Sequence, residues 1–288
     1  MRWVFLPAVL AGGALLVLAS LAAHAQQGGS GTTAQQGATP TQQGDTVKEI
    51  ERYREALSEG NPAELWEARG EELWKTRRGP RQVSLERCDL GKGPGVAKGA
   101  YAGLPRYFAD VDRVMDLETR LLHCMVTLQG FARADVVRQA FGNGPQRSDM
   151  EALVAYVTSE SRGAVMNVPT SHPKEREAYA LGERIFYFRG GTHDFSCASC
   201  HGDPGKRIRL QDLPNLTDPK DAQRAYTSWP GYRLSQGELR TMQWRLYDCF
   251  RQQRFPALEF GSEASIALTA FLAVNANGGT FNAPAIKR

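Results

Sequence analysis

Cys197-Ala198-Ser199-Cys200-His201 is the stretch that decides the fold of this chain. Two cysteines separated by two residues and followed directly by a histidine are typical of a c-type haem attachment site. In such a site both thiols bind one haem, and the imidazole is the proximal ligand of the iron. The alternatives are a surface C-x-x-C pair with redox activity and one half of a zinc site. The rest of the chain favours haem c.

Length and composition are those of a globular protein. The 288 residues are enough for one large domain or two of modest size. The chain is 42% hydrophobic and 23% charged, and its net charge of +4 is slight. This charge does not indicate nucleic acid binding, although it would suit an anionic partner.

The N-terminus has the features of a secretory signal. Arg2 precedes an apolar stretch over residues 4–23, and Ala23-His24-Ala25 is a small-x-small cleavage site. We therefore expect a cleaved signal peptide over residues 1–25 and export to the periplasm, where covalent haem attachment takes place in bacteria. The alternative is an uncleaved membrane anchor, since the apolar stretch is long. Residues 26–45 are rich in Gln, Gly, Thr and Ser, which predicts a disordered leader.

The two halves of the chain repeat one another. The same spacing separates Pro105 from Cys124 and Pro230 from Cys249. The numbering offset between the halves changes from block to block, as loop insertions would produce. The other matching pairs are Tyr107 with Tyr232, Arg120 with Arg245, Leu153 with Leu268, Gly163 with Gly278, Trp74 with Phe186, Gly79 with Gly191, and Cys88 with Cys200. Repetition of this kind predicts a tandem duplication of one unit, with a boundary near residues 169–173.

Most of the repeated unit reads as helix. Apolar spacing and capping residues predict helices over residues 47–57, from Pro62 to about residue 79, and over residues 175–189, 235–251 and 262–274. We expect Ser235 to be the N-cap of the helix over residues 235–251, with Glu238 completing a capping box. Ser262 is the expected N-cap of the last helix. Residues 203–232 hold four prolines and read as loop. The sequence thus predicts a mainly α fold with two tandem cytochrome c-like domains, over residues 46–170 and 171–288.

The first domain is predicted to lack haem. In the alignment of the halves, Leu85 replaces Cys197 and Asp89 replaces His201. Cys88 and Cys124 occupy the positions of Cys200 and Cys249, which flank the haem in a cytochrome fold. With no haem between them the two sulfurs could form a disulfide, which would stabilise the domain by about 3–4 kcal/mol. Two free buried thiols are the alternative.

The far side of the haem iron needs a second ligand. Met242 and Cys249 are seven residues apart on one helix face, so either side chain could approach the iron. Cys249 is favoured, because it is the odd cysteine of five once Cys88 and Cys124 are paired. Arg245, one turn before Cys249, is placed to stabilise a thiolate and to hold an anion beside it. The alternatives are a core role for Met242 and solvated helix charge for Arg245 and the two arginines that follow, Arg251 and Arg254.

The C-x-x-C-H motif, the duplicated unit and the segment Gln243-Trp-Arg-Leu-x-x-Cys249 with its trailing arginines resemble the SoxA family. SoxA is a subunit of the periplasmic SoxAX cytochrome of bacterial thiosulfate oxidation. The resemblance covers nearly the whole chain after the signal, and the segment ending at Cys249 is its discriminating part. Many members carry two haems; this chain resembles the single-haem members, in which a disulfide replaces the N-terminal haem.

This resemblance implies an L-cysteine S-thiosulfotransferase, which joins thiosulfate oxidatively to a cysteine of the carrier protein SoxYZ and passes two electrons to cytochrome c. It implies a SoxX-like partner subunit and one covalent haem c, held by Cys197 and Cys200. His201 and Cys249, the latter as a persulfide, would be the axial iron ligands, and Arg245 would contact the substrate. A plain electron-transfer cytochrome c with His201 and Met242 as ligands is the rival interpretation.

Overall fold

A computed structural model describes residues 60–142, 148–208 and 211–287, together with Lys48 and Arg52. The predicted signal peptide (1–25), the predicted leader (26–45) and most of the helix expected over residues 47–57 lie outside the described residues. Within the described ranges, no helix combines the length and the apolar character needed to cross a membrane.

Helices dominate the described part of the chain, and short strands lie between them. The helices are α1 (Glu64–Lys75), α2 (Leu117–Thr127), α3 (Arg133–Gln139), α4 (Asp149–Ser159), α5 (Pro173–Tyr187), α6 (Cys197–His201), α7 (Pro219–Tyr226), α8 (Met242–Gln252) and α9 (Glu263–Asn275). The strands are β1 (Arg106–Phe108), β2 (Arg113–Met115), β3 (Arg207–Ile208), β4 (Gln211–Asp212), β5 (Gly231–Arg233), β6 (Glu238–Arg240) and β7 (Ala285–Lys287). Strands β1 and β2 form one hairpin and β3 and β4 another, while β5 lies between antiparallel β6 and parallel β7.

The backbone confirms the tandem duplication. Hairpin β1–β2 followed by α2 recurs as hairpin β5–β6 followed by α8, with Tyr107 opposite Val114 and Tyr232 opposite Leu239. Both helices have 11 residues. Their N-caps are equivalent as well, because each cap side chain accepts a hydrogen bond from the backbone N–H three residues on. The caps are Asp116 and Thr241.

A glycine brings the two long helices of each copy together. A Cβ atom on Gly70 of α1 would lie 2.0 Å from the carbonyl oxygen of Ala152 on α4. A Cβ atom on Gly182 of α5 would lie 2.0 Å from the carbonyl oxygen of Ala267 on α9. Since no side chain fits at that distance, only glycine permits these crossings. The two helix pairs are therefore the shared scaffold of the copies.

One predicted helix start is wrong. Ser235 and Glu238 do not form a capping box, because Ser235 lies in the turn of hairpin β5–β6 and Glu238 begins β6. The helix begins at Met242, where the Thr241 hydroxyl accepts the Trp244 N–H. The local pattern Ser-x-x-Glu suits a turn as well as a cap, and strands this short show no alternation in the sequence. The predicted N-cap Ser262 is confirmed.

Residues 203–232, which the sequence predicts to be loop, also contain α7 and the hairpin β3–β4.

The two copies meet at the N-termini of α2 and α8. The Gln243 side-chain amide donates to the Asp116 carboxylate at 2.6 Å, and its carbonyl oxygen accepts the Gly261 N–H at 2.8 Å. The Gln243 backbone N–H donates to the Glu118 carboxylate at 2.9 Å. Gln243, Asp116 and Glu118 are all buried. Carboxylates are favoured at helix N-termini, so this polar junction fixes α8 against the first copy.

An ion pair forms a second link between the copies. The Arg240 guanidinium donates to Glu151 at 2.9 Å and to the Phe141 carbonyl oxygen at 2.8 Å. It also lies over the Trp244 ring, 4.7 Å from the centroid. Burial raises the pKa of Glu151 to about 7, although Arg240 acts in the opposite direction.

We expect Gly182→Ala to lower the free energy of unfolding by about 1–3 kcal/mol, because the new methyl group would force α5 away from α9. Gly70→Ala should have a similar effect in the first copy. Urea unfolding followed by circular dichroism measures both changes. Gly103→Ala is the matched control, since a Cβ atom there meets nothing within 4 Å. Equal stabilities of the Gly103 and Gly182 variants would contradict the close approach.

We also expect Glu151 to make stability depend on pH. The folded state holds the Glu151 proton up to a pKa of about 7, while the unfolded chain releases it near the ordinary value of 4.5. Between these values the folded state binds more protons, so stability falls as pH rises. Glu151→Gln should reduce this slope in urea unfolding, whereas exposed Glu72→Gln should retain it. Equal slopes in the wild type and Glu151→Gln would contradict the raised pKa.

Candidate active site

The C-x-x-C-H motif forms the short helix α6. Its N-cap is Ser196, whose hydroxyl accepts the Ser199 N–H, while the Ser199 hydroxyl accepts the Ser196 N–H. This reciprocal capping box holds a helix too short to be stable alone. The cap thereby fixes the directions of Cys197, Cys200 and His201.

His201 is oriented as a metal ligand. Its Nδ1 lies 2.9 Å from the Pro214 carbonyl oxygen, which can only accept a hydrogen bond. Nδ1 therefore carries the proton, and Nε2 keeps a free lone pair. Burial lowers the pKa of His201, so the neutral, ligating form is favoured at neutral pH. A carbonyl that fixes the ring in this way is the usual partner of a ligating histidine.

The predicted disulfide is present in the first copy, where Cys88 and Cys124 are bonded with their Cα atoms 5.7 Å apart. The equivalent pair in the second copy, Cys200 and Cys249, is not bonded, and Cys197 is free as well. The same two positions thus form a disulfide in the first copy and hold free thiols in the second.

The three free thiols belong to one site. Burial, and then the nearby charge of Cys249, raise the pKa of the Cys197 thiol to about 12. The charge of Cys200 likewise acts on Cys249, and the Arg245 guanidinium acts on both Cys249 and His201. The structure therefore brings together all the predicted residues of the haem site: Cys197, Cys200, His201, Arg245 and Cys249.

This donor set fits haem c. Two adjacent thiols and a neutral imidazole occupy one helix, and a third thiol approaches from α8. A zinc ion needs three or more side chains within bonding distance of one point, and no group of His, Cys, Asp or Glu among the described residues is that close together. Met242 is buried in the core at the first residue of α8, seven positions from Cys249, and this placement agrees with a packing role.

Cys249 lies in a desolvated position between opposing charges. Burial raises the pKa of its thiol, and the carboxylate of Asp248 raises it further, while Arg245 and Arg233 lower it. The sequence predicted that Arg245 would stabilise the thiolate, and its charge does act in that direction. Burial nevertheless has a larger effect on the pKa of Cys249 than the arginines have. The sequence does not reveal this burial.

Asp248 organises the arginines of α8. Its buried carboxylate accepts hydrogen bonds from Arg251 at 2.8 Å and Gln252 at 2.6 Å, and Arg245 lies 3.4 Å away. Arg251 is thereby tied to Asp248, with a side chain that is 61% exposed. Arg254 is exposed and follows the end of α8.

Arg233 is the site residue that sequence reasoning missed. It ends β5, and its charge acts on Cys249 together with that of Arg245. The alignment of the two halves held the signal: Tyr107 matches Tyr232, so the next residue, Phe108, matches Arg233. An aromatic residue in the first copy is thus a cation in the second.

The first copy fills the corresponding space with its own side chains. Leu85, at the position of Cys197, is fully buried. Asp89, at the position of His201, accepts the backbone N–H groups of Gly91 and Gly93 at 2.7 and 2.9 Å. Its carbonyl oxygen accepts a hydrogen bond from Arg120 at 2.7 Å. Of the cysteines and the histidine predicted to bind haem in the second copy, only Cys200 and Cys249 have cysteine equivalents here, Cys88 and Cys124, which are bonded to each other.

A family model described as SoxA/TsdA, cytochrome c domain, matches the chain twice, over residues 69–166 and 181–281. The L-cysteine S-thiosulfotransferase subunit SoxA of Hydrogenophilus thermoluteolus is 52% identical over 84% of this chain and 88% of its own length. A protein of the same name from Hydrogenobacter thermophilus is 34% identical over 86% of this chain and 91% of its own length.

The fold is also found among solved structures. The crystal structure of SoxXA from P. pantotrophus superimposes with a TM-score of 0.67 and 24% identity, covering 82% of this chain and 84% of that chain. At this identity the likeness concerns the fold alone. The double match to the family model and the identity to the curated relatives lead to one conclusion: the chain belongs to the SoxA family of L-cysteine S-thiosulfotransferase subunits.

Proposed function

We propose that this chain is the single-haem SoxA-like subunit of a periplasmic enzyme that joins thiosulfate to a cysteine of a SoxYZ-like carrier protein. The observation that carries the proposal is the position of the Cys249 thiol, which shares one site with the haem motif and Arg245. The 52% identical relative, named as an L-cysteine S-thiosulfotransferase subunit, supports the same reaction.

The reaction forms one sulfur–sulfur bond. The outer sulfur of thiosulfate bonds to the carrier thiol, the thiol proton is released, and two electrons leave. Haem c, when bound, supplies an iron that accepts electrons one at a time. A SoxX-like partner cytochrome and a soluble cytochrome c are the proposed further acceptors. The likeness to a SoxXA crystal structure agrees with such a partner, and the predicted signal peptide over residues 1–25 supports the periplasmic location.

The residues of this chain have separate roles in the proposal. Cys197 and Cys200 would hold haem c covalently, and His201 and Cys249 would bind its iron. Cys249 acts as a persulfide: the outer sulfur of thiosulfate bonds to the persulfide sulfur as two electrons leave, and the carrier thiol, losing its proton, then takes the thiosulfate group and displaces the Cys249 persulfide. Arg245 binds the sulfonate end of thiosulfate through its paired N–H donors. A partly buried site strengthens this contact, because water competes less for both charges.

The first domain, residues 46–170, is proposed to fold without haem, and residues 171–288 to carry the single haem c. Buried Leu85 and the Cys88–Cys124 bond support this assignment. A plain electron-transfer cytochrome with Met242 as ligand is the less favoured function, since Met242 is packed in the core.

We expect the exported protein to carry one haem. Its intact mass should equal that of the chain without residues 1–25, plus one haem, minus the two hydrogens lost in the Cys88–Cys124 disulfide. The fraction that bears a persulfide should be heavier by one sulfur. Replacing Cys88 and Cys124 together by alanine should lower the free energy of unfolding by about 4 kcal/mol and leave the haem count unchanged. A second covalent haem in the wild type would contradict the proposed division.

We expect Cys249→Ser to abolish conjugation of thiosulfate to the carrier while covalent haem is retained. The persulfide cannot form on a hydroxyl, whereas attachment depends on Cys197 and Cys200. Mass spectrometry of the carrier and of the variant measures both results. Met242→Leu is the control, because a change that nearly conserves volume in the core costs little. Full turnover by Cys249→Ser would contradict the role of Cys249. A haem spectrum altered only by Met242→Leu would favour the electron-carrier alternative.

A further inference from the structure

The two copies differ most sharply around one arginine. Arg120 of α2 and Arg245 of α8 occupy equivalent positions, one turn before Cys124 and Cys249 respectively. Each copy therefore provides a reference for the other. The surroundings of Arg120 show what the fold does with this arginine when the neighbouring cysteine is locked in a disulfide.

The first copy neutralises its arginine completely. The Arg120 guanidinium donates to both carboxylate oxygens of Asp110, at 3.0 and 2.8 Å, and its Nε donates to the Asp89 carbonyl oxygen. The Phe108 ring covers its face, 4.1 Å from Cζ to the centroid. The side chain of Arg120 is only 5% exposed. The paired carboxylate, the stacked ring and the burial together close this guanidinium to a ligand.

The second copy removes both of these partners. Ser235 stands at the position of Asp110, and Arg233 stands at the position of Phe108. A carboxylate is thus lost and a second guanidinium is gained beside Arg245. Within the described ranges, the one carboxylate paired with Arg245 is that of Asp248, at 3.4 Å, and the Arg245 side chain is 29% exposed. Asp248 already accepts shorter hydrogen bonds from Arg251 and Gln252.

Arg233 itself has no anionic partner in the described part of the chain. Its Nε is buried without a hydrogen bond, and its side chain forms no ion pair there. Glu238 stands opposite Arg233 in the hairpin register but does not reach it. Burial, and then repulsion by Arg245, lower the pKa of Arg233. Two neighbouring, partly buried guanidinium groups with one shared carboxylate leave an excess of positive charge beside the Cys249 thiol.

We infer that Arg233 is a second substrate-binding residue, which together with Arg245 holds the sulfonate group of a dianionic sulfur compound against Cys249. This inference rests on the proposed function and extends it to a residue on a different element. Two guanidinium forks on a strand and a helix can engage three sulfonate oxygens, whereas one fork engages two. The pair would therefore select a dianion with a tetrahedral oxyanion end and position its outer sulfur towards the cysteine.

The test compares Arg233→Gln, Arg233→Lys and Arg224→Gln in the complete haem-loaded protein with its cytochrome partner. Arg224 is a matched control, because its side chain is 76% exposed and pairs with Asp221 on the surface. In steady-state kinetics we expect Arg233→Gln to raise KM for thiosulfate about tenfold or more, the effect of one charge-assisted contact. The value of kcat should change far less, and Arg233→Lys should fall in between. Arg224→Gln should match the wild type.

A second measurement does not depend on turnover. The rate at which anionic iodoacetate modifies Cys249 is divided by the rate for neutral iodoacetamide, both followed by mass spectrometry. Arg233→Gln should lower this ratio about tenfold, as expected for the loss of one neighbouring cation, while Arg233→Lys should retain it. Because each variant is compared by a ratio, a general loosening of the fold changes both rates and not their quotient.

The outcomes separate the inference from the function on which it rests. An unchanged KM and an unchanged alkylation ratio in Arg233→Gln would overturn the role of Arg233, even if Cys249 proved essential. Full turnover by Cys249→Ser would overturn the proposed function, while a lowered alkylation ratio would still identify Arg233 as part of an anion site. If Arg233→Gln does not fold, Arg233→Lys decides: a KM for thiosulfate equal to that of the wild type would overturn the inference.

Discussion

The buried contacts of Gln243 hold the site-bearing helix in place. This side chain donates to Asp116 of the first copy and accepts the Gly261 N–H of the second, and its backbone N–H binds Glu118. Buried amides and carboxylates are costly without partners, so few other arrangements satisfy all of them at once. Arg245 and Cys249 lie on the same helix, two and six residues after Gln243. Their position therefore depends on a junction that belongs to both copies.

The first copy lacks equivalents of Cys197 and His201, yet it binds the second copy through buried polar groups. The first copy supplies Asp116, Glu118 and Glu151, which bind the second copy through Gln243 and Arg240. Its own cysteines are bonded to each other, and its arginine is neutralised. The haem motif remains only in the second copy, where the equivalent arginine is left with a single distant carboxylate. The first copy thus supports the second, which holds the residues of the candidate site.

Much of this organisation could be predicted from the sequence, because it depends on local patterns and on comparison of the halves. The equivalence of Cys124 with Cys249 and the Ser262 cap follow from spacing. The alignment of the halves favoured a Cys88–Cys124 disulfide over two free thiols, and the disulfide is present. The hairpins could not be predicted, since three-residue strands show no periodicity, and the Ser235 cap was wrong for that reason. The effect of burial on the Cys249 thiol depends on atoms distant in sequence, which no local pattern reports.

The Cys88–Cys124 bond has a consequence for the sulfur chemistry of the second copy. The same two positions of one fold have been put to opposite uses. In the first copy the sulfur on the helix is saturated by a partner from its own chain, so it is closed to any other molecule. In the second copy the sulfur at that position has no disulfide partner and stays a free thiol. The protein thus contains one sulfur that is bonded within the chain and an equivalent sulfur that is free, as the proposed sulfur exchange requires.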